Sequence, residues 1–391
     1  MRSFNDKKTT YLIAGAIAGA GCIIMVLFPA IALNSAQKGV SLWASSVLPA
    51  LLPFFICANF MTSLGLPIII GRFFEEPFRK LFGAPGVSAF IFSISITSGY
   101  PMGAKLIGDM GRRKEITRDD AKRMLTFCST SGPLFMLGAV GVGMLSSPAA
   151  GAVIAIAHYL GAILNGILFR LFTTFRSKSQ VNCSRKISFK PESIGKDSLL
   201  DVFTDSIISS FRALGIICGY IVLFTLITDF IQFSGVLNYL ESSYGKGIFK
   251  GFFEMTVGCN SVAKTIDISL GLKCILCATI ISWGGISVLA QSMSMLAGLD
   301  ISVMYYSLTK LTHGILAGVV AWIISPHILN LGITSVGAFG QTEVVSGLGF
   351  IYSLLFSTKM VIMIVLLFGV TIIIDKIIRR VHEGLRDHSR I

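Results

Sequence analysis

Long apolar stretches without any Asp, Glu, Lys or Arg make up most of this chain. They cover residues 9–37, 39–71, 81–104, 124–169, 213–228, 275–299 and 311–342. About 20 consecutive apolar residues are enough for a helix to cross a lipid bilayer, because each residue advances a helix by about 1.5 Å. The pattern therefore predicts an all-α, polytopic integral membrane protein.

The first of these stretches is long enough for a full membrane span at residues 11–33. A secretory signal peptide has a shorter apolar region that ends in a small-residue cleavage site, and no convincing site of that kind follows here. We therefore expect residues 1–38 to form an N-terminal signal-anchor helix.

One polar stretch, residues 175–198, interrupts the apolar pattern near the middle of the chain. We interpret it as a cytoplasmic linker between a first repeat, residues 39–174, and a second repeat, residues 199–325. The remaining residues, 326–391, are expected to form an extracytoplasmic loop, a last transmembrane helix and a basic cytoplasmic tail. We place that last helix at residues 349–374.

The composition agrees with a membrane protein. Hydrophobic residues make up 53% of the chain and charged residues only 14%, with a mean hydropathy of +0.77. A soluble domain usually carries about 25% charged residues, so the composition excludes a soluble enzyme. The eight cysteines lie mostly in apolar stretches, and only Cys274 and Cys277 have the spacing of half a zinc site. We therefore expect neither a bound metal nor a cofactor.

The net charge of +13 indicates orientation in the membrane rather than a nucleic-acid partner. Most Lys and Arg residues gather at the N-terminus, at residues 72–80, 105–123 and 170–196, and in the C-terminal tail. Cytoplasmic loops carry an excess of Lys and Arg, so all five segments and both termini are predicted to be cytoplasmic. The segment 325–349 has no Lys or Arg and is predicted to lie on the opposite side.

Residues 87–110 are apolar but have basic segments at both ends, so they should enter and leave the membrane on the cytoplasmic side. Their centre, residues 98–103, reads Ser-Gly-Tyr-Pro-Met-Gly. Gly and Pro break a helix, and broken backbone at membrane depth requires protein or a watery cavity around it. We therefore predict a re-entrant hairpin.

The second half repeats this order, with an interrupted segment at residues 249–268. Gly132 and Gly284 differ by 152 positions, whereas Gly99 and Gly258 differ by 159. Each half contributes three full crossings and one hairpin, and an odd number of crossings inverts the second copy. The prediction is about eight transmembrane helices plus two re-entrant or broken hairpins in an inverted repeat, as in secondary transporters.

Four helix breaks are expected to converge, at residues 98–103, 129–133, 256–260 and 282–287. Short hydroxyls and free backbone amides at the N-termini of half-helices form a site suited to an anion or a carboxylate. The glycines at these breaks are also compatible with close helix packing alone.

Ionisable side chains inside apolar spans are costly in hydrocarbon and therefore carry a functional expectation. His158 and Lys310 are equivalent at the offset of 152, and Arg212 is the deepest arginine. Lys105 could instead extend its ammonium group to water, and His158 could be a neutral, hydrogen-bonded core residue. Glu254 flanks the expected break at residues 256–260 and could gate the site or form an ion pair.

The hypothesis is a substrate-binding site without catalytic residues. Its members are Ser98, Gly99, Tyr100, Lys105, Ser129, Thr130, Ser131, His158, Arg212, Glu254, Thr256, Gly258, Ser282, Gly284, Gln291, Lys310 and His313.

Several motifs resemble the sporulation integral membrane proteins of endospore-forming bacteria. They are residues 49–55 (Pro-Ala-Leu-Leu-Pro-Phe-Phe), 98–105 (Ser-Gly-Tyr-Pro-Met-Gly-Ala-Lys), 129–135 and 158–161 (His-Tyr-Leu-Gly). The resemblance covers most of residues 40–170 and, more loosely, residues 200–320. It implies nucleoside-recognition (Gate) domains and a fold related to concentrative nucleoside transporters.

The same resemblance implies a role in stage V of sporulation. The protein would move dipicolinic acid from the mother cell across the outer forespore membrane, where it would reside. Its partners would be this small anion and the bilayer, with a second copy of the chain or other sporulation membrane proteins left open.

Three alternatives remain. A transporter of the same fold could carry a nucleoside or another organic anion, and a structural membrane protein could recruit a partner through residues 175–198. An intramembrane serine protease would need Ser131 with His158 as nucleophile and base, but position 129 is Ser where a Gly-x-Ser-Gly pattern requires Gly. No phosphate-binding Gly-x-x-x-x-Gly-Lys-Ser/Thr motif is present. We therefore expect a protein that is not an enzyme.

Overall fold

The computed structural model describes residues 2–176, 198–240 and 242–330, and it contains helices and connecting turns but no β-strand in those ranges. The longer helices are α1 (Arg2–Leu27), α2 (Pro29–Leu42), α3 (Leu48–Ser63), α4 (Leu66–Phe82), α5 (Val87–Ser98), α6 (Met102–Arg112), α7 (Arg118–Leu125), α8 (Pro148–Arg176), α9 (Leu199–Phe233), α10 (Ser243–Phe253), α11 (Met255–Ala263), α12 (Leu270–Trp283), α13 (Gly285–Met295) and α14 (Val303–Asn330). A π-helix, Leu134–Met144, lies between α7 and α8. Nearly all of the predicted linker and the whole of the predicted last helix lie outside the described residues.

Several helices are long and apolar enough to cross a membrane. Four qualify alone: Pro148–Phe172, Leu199–Phe233, Leu270–Met295 and Val303–Leu329. Up to six spans result if each of two bent helix pairs counts as one. The protein is therefore an all-helical integral membrane protein in the part that is described, and the total of about eight spans stays a prediction.

The predicted first span at residues 11–33 is wrong as a single straight helix. The chain bends by 106° between α1 and α2. Pro29 begins α2, because proline lacks a backbone N–H and fits the first turn of a helix but not its interior.

The basic segment at residues 72–80, expected as a loop, lies within α4. Helix formation is supported there by ion pairs one turn apart, Glu75 with Arg79 at 3.3 Å and Glu76 with Lys80 at 2.5 Å. The axis of α4 meets that of α5 at 85°. The intervening Gly83 has a φ of +63°, which glycine adopts without a steric penalty.

The same order of elements occurs twice. Helix α5, a break, α6, α7, a second break, the π-helix and α8 correspond to α10, a break, α11, α12, a second break, α13 and α14. Three of the four predicted breaks are confirmed, after Ser98, between α7 and the π-helix, and at Gly284.

The fourth predicted break, at residues 256–260, is wrong. Helix α11 runs through these residues, and the interruption lies just before it, at the extended residue Glu254. Gly258 instead permits close packing, because a Cβ atom there would lie 2.2 Å from Gly251 Cα on α10. A glycine that allows two helices to touch has the same sequence signature as one that ends a helix.

Helices α8 and α14, which are equivalent in the two halves, pack against each other in opposite directions. Asn165 contacts Thr309, and Gly161, earlier on α8, lies against Ala317, later on α14. Position numbers therefore rise along one helix as they fall along the other.

Each of two buried apolar clusters draws on both halves. The first combines α6 and α7 with the end of α13, for example Leu106 with Leu296. The second combines the π-helix and the start of α8 with α11 and α12, for example Val140 with Cys277. Buried apolar side chains therefore join the two halves.

Candidate site at the meeting point of the helix breaks

Lys310 on α14 is the centre of a buried polar cluster, with only 2% of the residue exposed. Its Nζ donates hydrogen bonds to Tyr100 Oη at 2.7 Å and to the Ser129 carbonyl oxygen at 3.0 Å. His313 Nδ1 lies 3.4 Å from the same nitrogen, and the Tyr100 ring centroid lies 4.4 Å away. One lysine therefore joins α14 to both breaks of the first half.

Within the described ranges, no carboxylate forms an ion pair with Lys310. Its hydrogen-bond acceptors are a phenol, a carbonyl and a neutral imidazole, and none of them carries a negative charge. An ammonium group out of water is costly unless an opposite charge compensates it. Within the described structure an ammonium group at this position would therefore have no compensating charge, which a bound anion could supply.

His158 on α8 bridges the two halves. The Ser131 backbone N–H donates to His158 Nε2 at 2.8 Å, and His158 Nδ1 lies 2.7 Å from Ser282 Oγ. Because Nε2 must accept from an amide, the proton of the neutral ring is assigned to Nδ1, which then donates to Ser282. Ser131 and Ser282 belong to the matching second breaks of the two halves.

The ring of His313 faces the other way. Its Nε2 lies 2.9 Å from the His158 carbonyl oxygen, which can only accept, so the His313 proton is assigned to Nε2. The free lone pair on Nδ1 then faces Lys310. The hydrogen bond between the two histidines runs through a backbone carbonyl, and their ring centroids lie 4.8 Å apart.

An outer set of polar residues supports this centre and was not predicted. Tyr306 Oη lies 2.6 Å from Ser129 Oγ, and Tyr159 Oη donates to the Ser131 carbonyl oxygen at 3.2 Å. Asn165 donates to the Thr309 carbonyl oxygen at 3.0 Å. Helical spacing could have found two of them, because Tyr306 lies four residues before Lys310 and Asn165 seven after His158.

The two breaks of the first half touch each other. Gly99 has a φ of +85°, and a Cβ atom on it would lie 2.6 Å from the Gly132 nitrogen. Nearby, Thr130 is held by Ser95, with 2.9 Å between the two hydroxyl oxygens. Ser98 Oγ is buried and has no hydrogen-bond partner among the described residues. No side chain caps the N-terminus of α6 that follows.

The breaks of the second half also touch, but a carboxylate fills the first of them. Glu254 Oε2 accepts from the Val257 backbone N–H at 2.7 Å and so caps α11. A Cβ atom on Gly285 would lie 2.8 Å from the Phe253 carbonyl oxygen. The structure places Glu254 at this break and Thr256 and Gly258 within α11, without a hydrogen bond to the Lys310 cluster.

Lys105 belongs to a second polar cluster. Its Nζ donates to Asn59 Oδ1 at 2.7 Å and to Asp109 Oδ2 at 2.8 Å, and Asn59 in turn donates to Ser210 Oγ at 2.8 Å. Asp109 lies outside the candidate spans; burial raises the pKa of its carboxyl, but Lys105 and Arg112 outweigh burial, so the pKa lies below its usual value. Lys105 is thus neutralised within the protein, unlike Lys310.

Two other predicted site residues lie apart from the cluster. The Arg212 side chain is exposed on α9, which packs against α2 and α3, so the expectation that it lines the site is wrong. Asp205, seven residues earlier on α9, is also exposed, so this face of the helix points outward. Gln291 is buried and donates to Ser287 Oγ, one turn earlier on α13, at 3.1 Å.

The geometry does not support a serine nucleophile. His158 meets Ser131 through the backbone N–H and not through the hydroxyl, and it donates to Ser282 instead of accepting its proton. A general base must accept the proton of the nucleophile. Within the described ranges, no group of three or more His, Cys, Asp or Glu side chains is arranged to hold a metal ion.

Comparison with known proteins identifies the family. Over 322 residues the chain is 30% identical to the "Sporulation integral membrane protein YlbJ" of Bacillus subtilis (strain 168), an alignment that covers 75% of this chain and 78% of that protein. The chain belongs to this sporulation membrane protein family. No family profile and no solved structure matches it. The family resemblance in the sequence motifs is confirmed at this level.

Proposed function

We propose that this sporulation membrane protein is a transporter of a small organic anion, and that the anion is dipicolinic acid. The protein would act in the mother cell, moving this dianion across the outer forespore membrane with both of its own termini in the cytoplasm. Its fold would be an inverted repeat of Gate domains related to concentrative nucleoside transporters. The repeated order of helices and the antiparallel pairing of α8 with α14 support that interpretation.

The observation that carries the proposal is the burial of Lys310, without a carboxylate partner in the described structure, at the meeting point of the helix breaks. A substrate carboxylate could replace the neutral acceptors Tyr100 and Ser129 at its ammonium group. Ser98 Oγ, which has no partner in the described structure, could donate to a second carboxylate oxygen. Hydrogen bonds between charged groups are stronger than the neutral ones they would replace.

Transport also requires that the site become accessible. Lys310 is 2% exposed and His158 is fully buried, so the described arrangement is closed. The bond from His158 to Ser282 crosses between the halves, and we propose that it breaks when one repeat moves relative to the other. Movement of one repeat against the other is the usual mechanism of inverted-repeat transporters.

The direct test is binding of labelled dipicolinate to the purified protein, with unlabelled nucleosides as competitors. Lys310→Met should weaken binding by about 10- to 150-fold, because a hydrogen bond to a charged group contributes about 1.5–3 kcal/mol. Arg212→Ala is the matched control and should bind normally, because its side chain points away from the cluster. Equal binding by the Lys310→Met variant would contradict the proposed site, and displacement by nucleosides would indicate a different substrate.

A further inference from the structure

Glu254 is a buried carboxylate with no cation paired to it among the described residues. The residue is 9% exposed and lies at the break between α10 and α11. Its carboxylate accepts hydrogen bonds from the Val257 backbone N–H and from Thr256. No Lys, Arg or His of the described residues forms an ion pair with it. An acidic side chain in this position inside a membrane protein indicates function more often than stability.

The elements around Glu254 supply little that could compensate its charge. Helix α13 and the π-helix contain no ionisable residue at all. Helices α11 and α12 contribute the thiols of Cys259 and Cys277, of which Cys259 interacts with Glu254. Helix α12 also carries Lys273, whose Nζ donates to the Ala263 carbonyl oxygen at the far end of α11, at 2.8 Å. Of the nearest cations in the sequence, Lys250 donates to Gln232 Oε1 at 3.1 Å, and neither Lys250 nor Lys264 forms an ion pair with Glu254.

Glu254 also lies beside the second break of its own half, so a movement of one repeat against the other would change its surroundings. A Cβ atom on Gly285 would lie 3.1 Å from Glu254 Cα, and Gly285 follows the turn that begins just after Ser282. Ser282 is the residue that His158 holds across the two halves. A change at the closed cluster would therefore be transmitted to the Glu254 break within a few residues of backbone.

We propose that Glu254 is the proton-binding site through which transport is coupled to a pH gradient. One proton from water binds the carboxylate when the dianion binds, and it leaves to water on the opposite side when the dianion is released. No covalent bond to the substrate forms or breaks. This inference rests on the proposed function, because it concerns how that transport is driven.

The coupling follows from electrostatics. The dianion brings two negative charges and Lys310 offers one positive charge, so binding makes the region more negative. A more negative region favours the neutral form of a nearby carboxyl group. By linkage, protonation of Glu254 then favours dianion binding by the same factor.

The experiment uses the full chain in proteoliposomes, with the voltage held at zero by potassium and valinomycin. The lumen is kept one pH unit more alkaline than the bath, between pH 7 and 8, and uptake into protein-free vesicles is subtracted. One coupled proton should allow about tenfold accumulation of dipicolinate, because one pH unit is equivalent to a factor of ten. Glu254→Gln keeps a cap acceptor but cannot titrate, and it should reduce the accumulation ratio to about one.

Exchange of labelled for unlabelled dipicolinate at equal pH separates coupling from folding. The Glu254→Gln protein should still exchange, since Glu254 lies outside the Lys310 cluster, and Glu115→Gln in the loop before α7 should behave as the unaltered protein. Tenfold accumulation by Glu254→Gln, loss of exchange in that variant, or accumulation driven by sodium instead of protons would each overturn the proposal. An unaltered protein that neither exchanges nor accumulates dipicolinate would instead refute the proposed function itself.

Discussion

The first helix break of each half solves the same structural problem in a different way. In the first half, Gly99 turns the chain with a positive φ, no side chain caps α6, and Ser98 Oγ lacks a partner in the described structure. In the second half, the chain turns at an extended Glu254, whose own carboxylate caps α11. The first break therefore has a serine hydroxyl and a helix N-terminus without a side-chain partner in the described structure, whereas the Glu254 carboxylate supplies such a partner at the second.

This difference divides the roles of two equivalent positions. An uncapped helix N-terminus beside a buried lysine can receive an anion from outside. A helix N-terminus already occupied by Glu254 has no such vacancy, but it holds a group that can take up a proton. An inverted repeat can thus give rise to one site for the substrate and one for a coupling ion.

The largest expected effect on stability is at the first break, with Gly99→Ala. The Gly99 backbone, with φ +85° and ψ −168°, lies in a region that is essentially restricted to glycine and costs about 1–3 kcal/mol for a residue with a Cβ atom, and the contact with the Gly132 nitrogen adds about 1–3 kcal/mol of overpacking. The expected loss is therefore about 2–6 kcal/mol. It can be measured as a lower unfolding temperature of the purified protein in detergent.

The matched variant at the second break is Gly258→Ala. Only the steric term applies there, so the expected loss is about 1–3 kcal/mol. Gly219→Ala on α9 is the control, because nothing lies within 4 Å of its added Cβ. If Gly258→Ala destabilised the protein more than Gly99→Ala, the proposed difference between the two turns would be wrong.

A smaller effect is expected when the internal cap is removed by Glu254→Ala. Loss of an N-cap side chain costs about 0.5–2 kcal/mol. Glu254→Gln should recover part of that stability, because its amide oxygen can still accept from the Val257 N–H. Thermal unfolding of the two variants in the same detergent provides the comparison, and equal losses would show that the cap hydrogen bond does not stabilise α11.

Much of the fold could be predicted from the sequence because hydrocarbon imposes simple rules on a helical protein. Residues 148–172 and 303–329 are apolar over a membrane width, and Gly284 ended α12 as the pattern indicated. The bend at Pro29 and the helix at residues 72–80 were not predicted. Apolar length and positive charge distinguish neither a straight span from one bent at a proline nor a loop from an amphipathic helix.

The candidate site was predicted in part for a related reason. Lys310 and His158 stood out because charged and titratable groups are rare inside spans. Arg212 stood out equally, yet its helix turns that face outward, and a single span gives no information about which face meets the protein. Tyr306 was missed although it lies one helical turn before Lys310, because its hydrogen-bond partner Ser129 lies on a segment distant in sequence.

The smallest expected effect concerns the open group of the first break, in Ser98→Ala. A buried hydroxyl without a partner costs about 1–3 kcal/mol relative to a satisfied one, so its removal should leave stability unchanged or raise it by up to about 1 kcal/mol. Dipicolinate binding should nevertheless weaken by about 2- to 12-fold, as one hydrogen bond contributes about 0.5–1.5 kcal/mol. Thermal unfolding and equilibrium binding on the same preparation separate the two effects. A destabilised Ser98→Ala protein with unchanged binding would show that the hydroxyl has a structural partner, and the two breaks would then be alike.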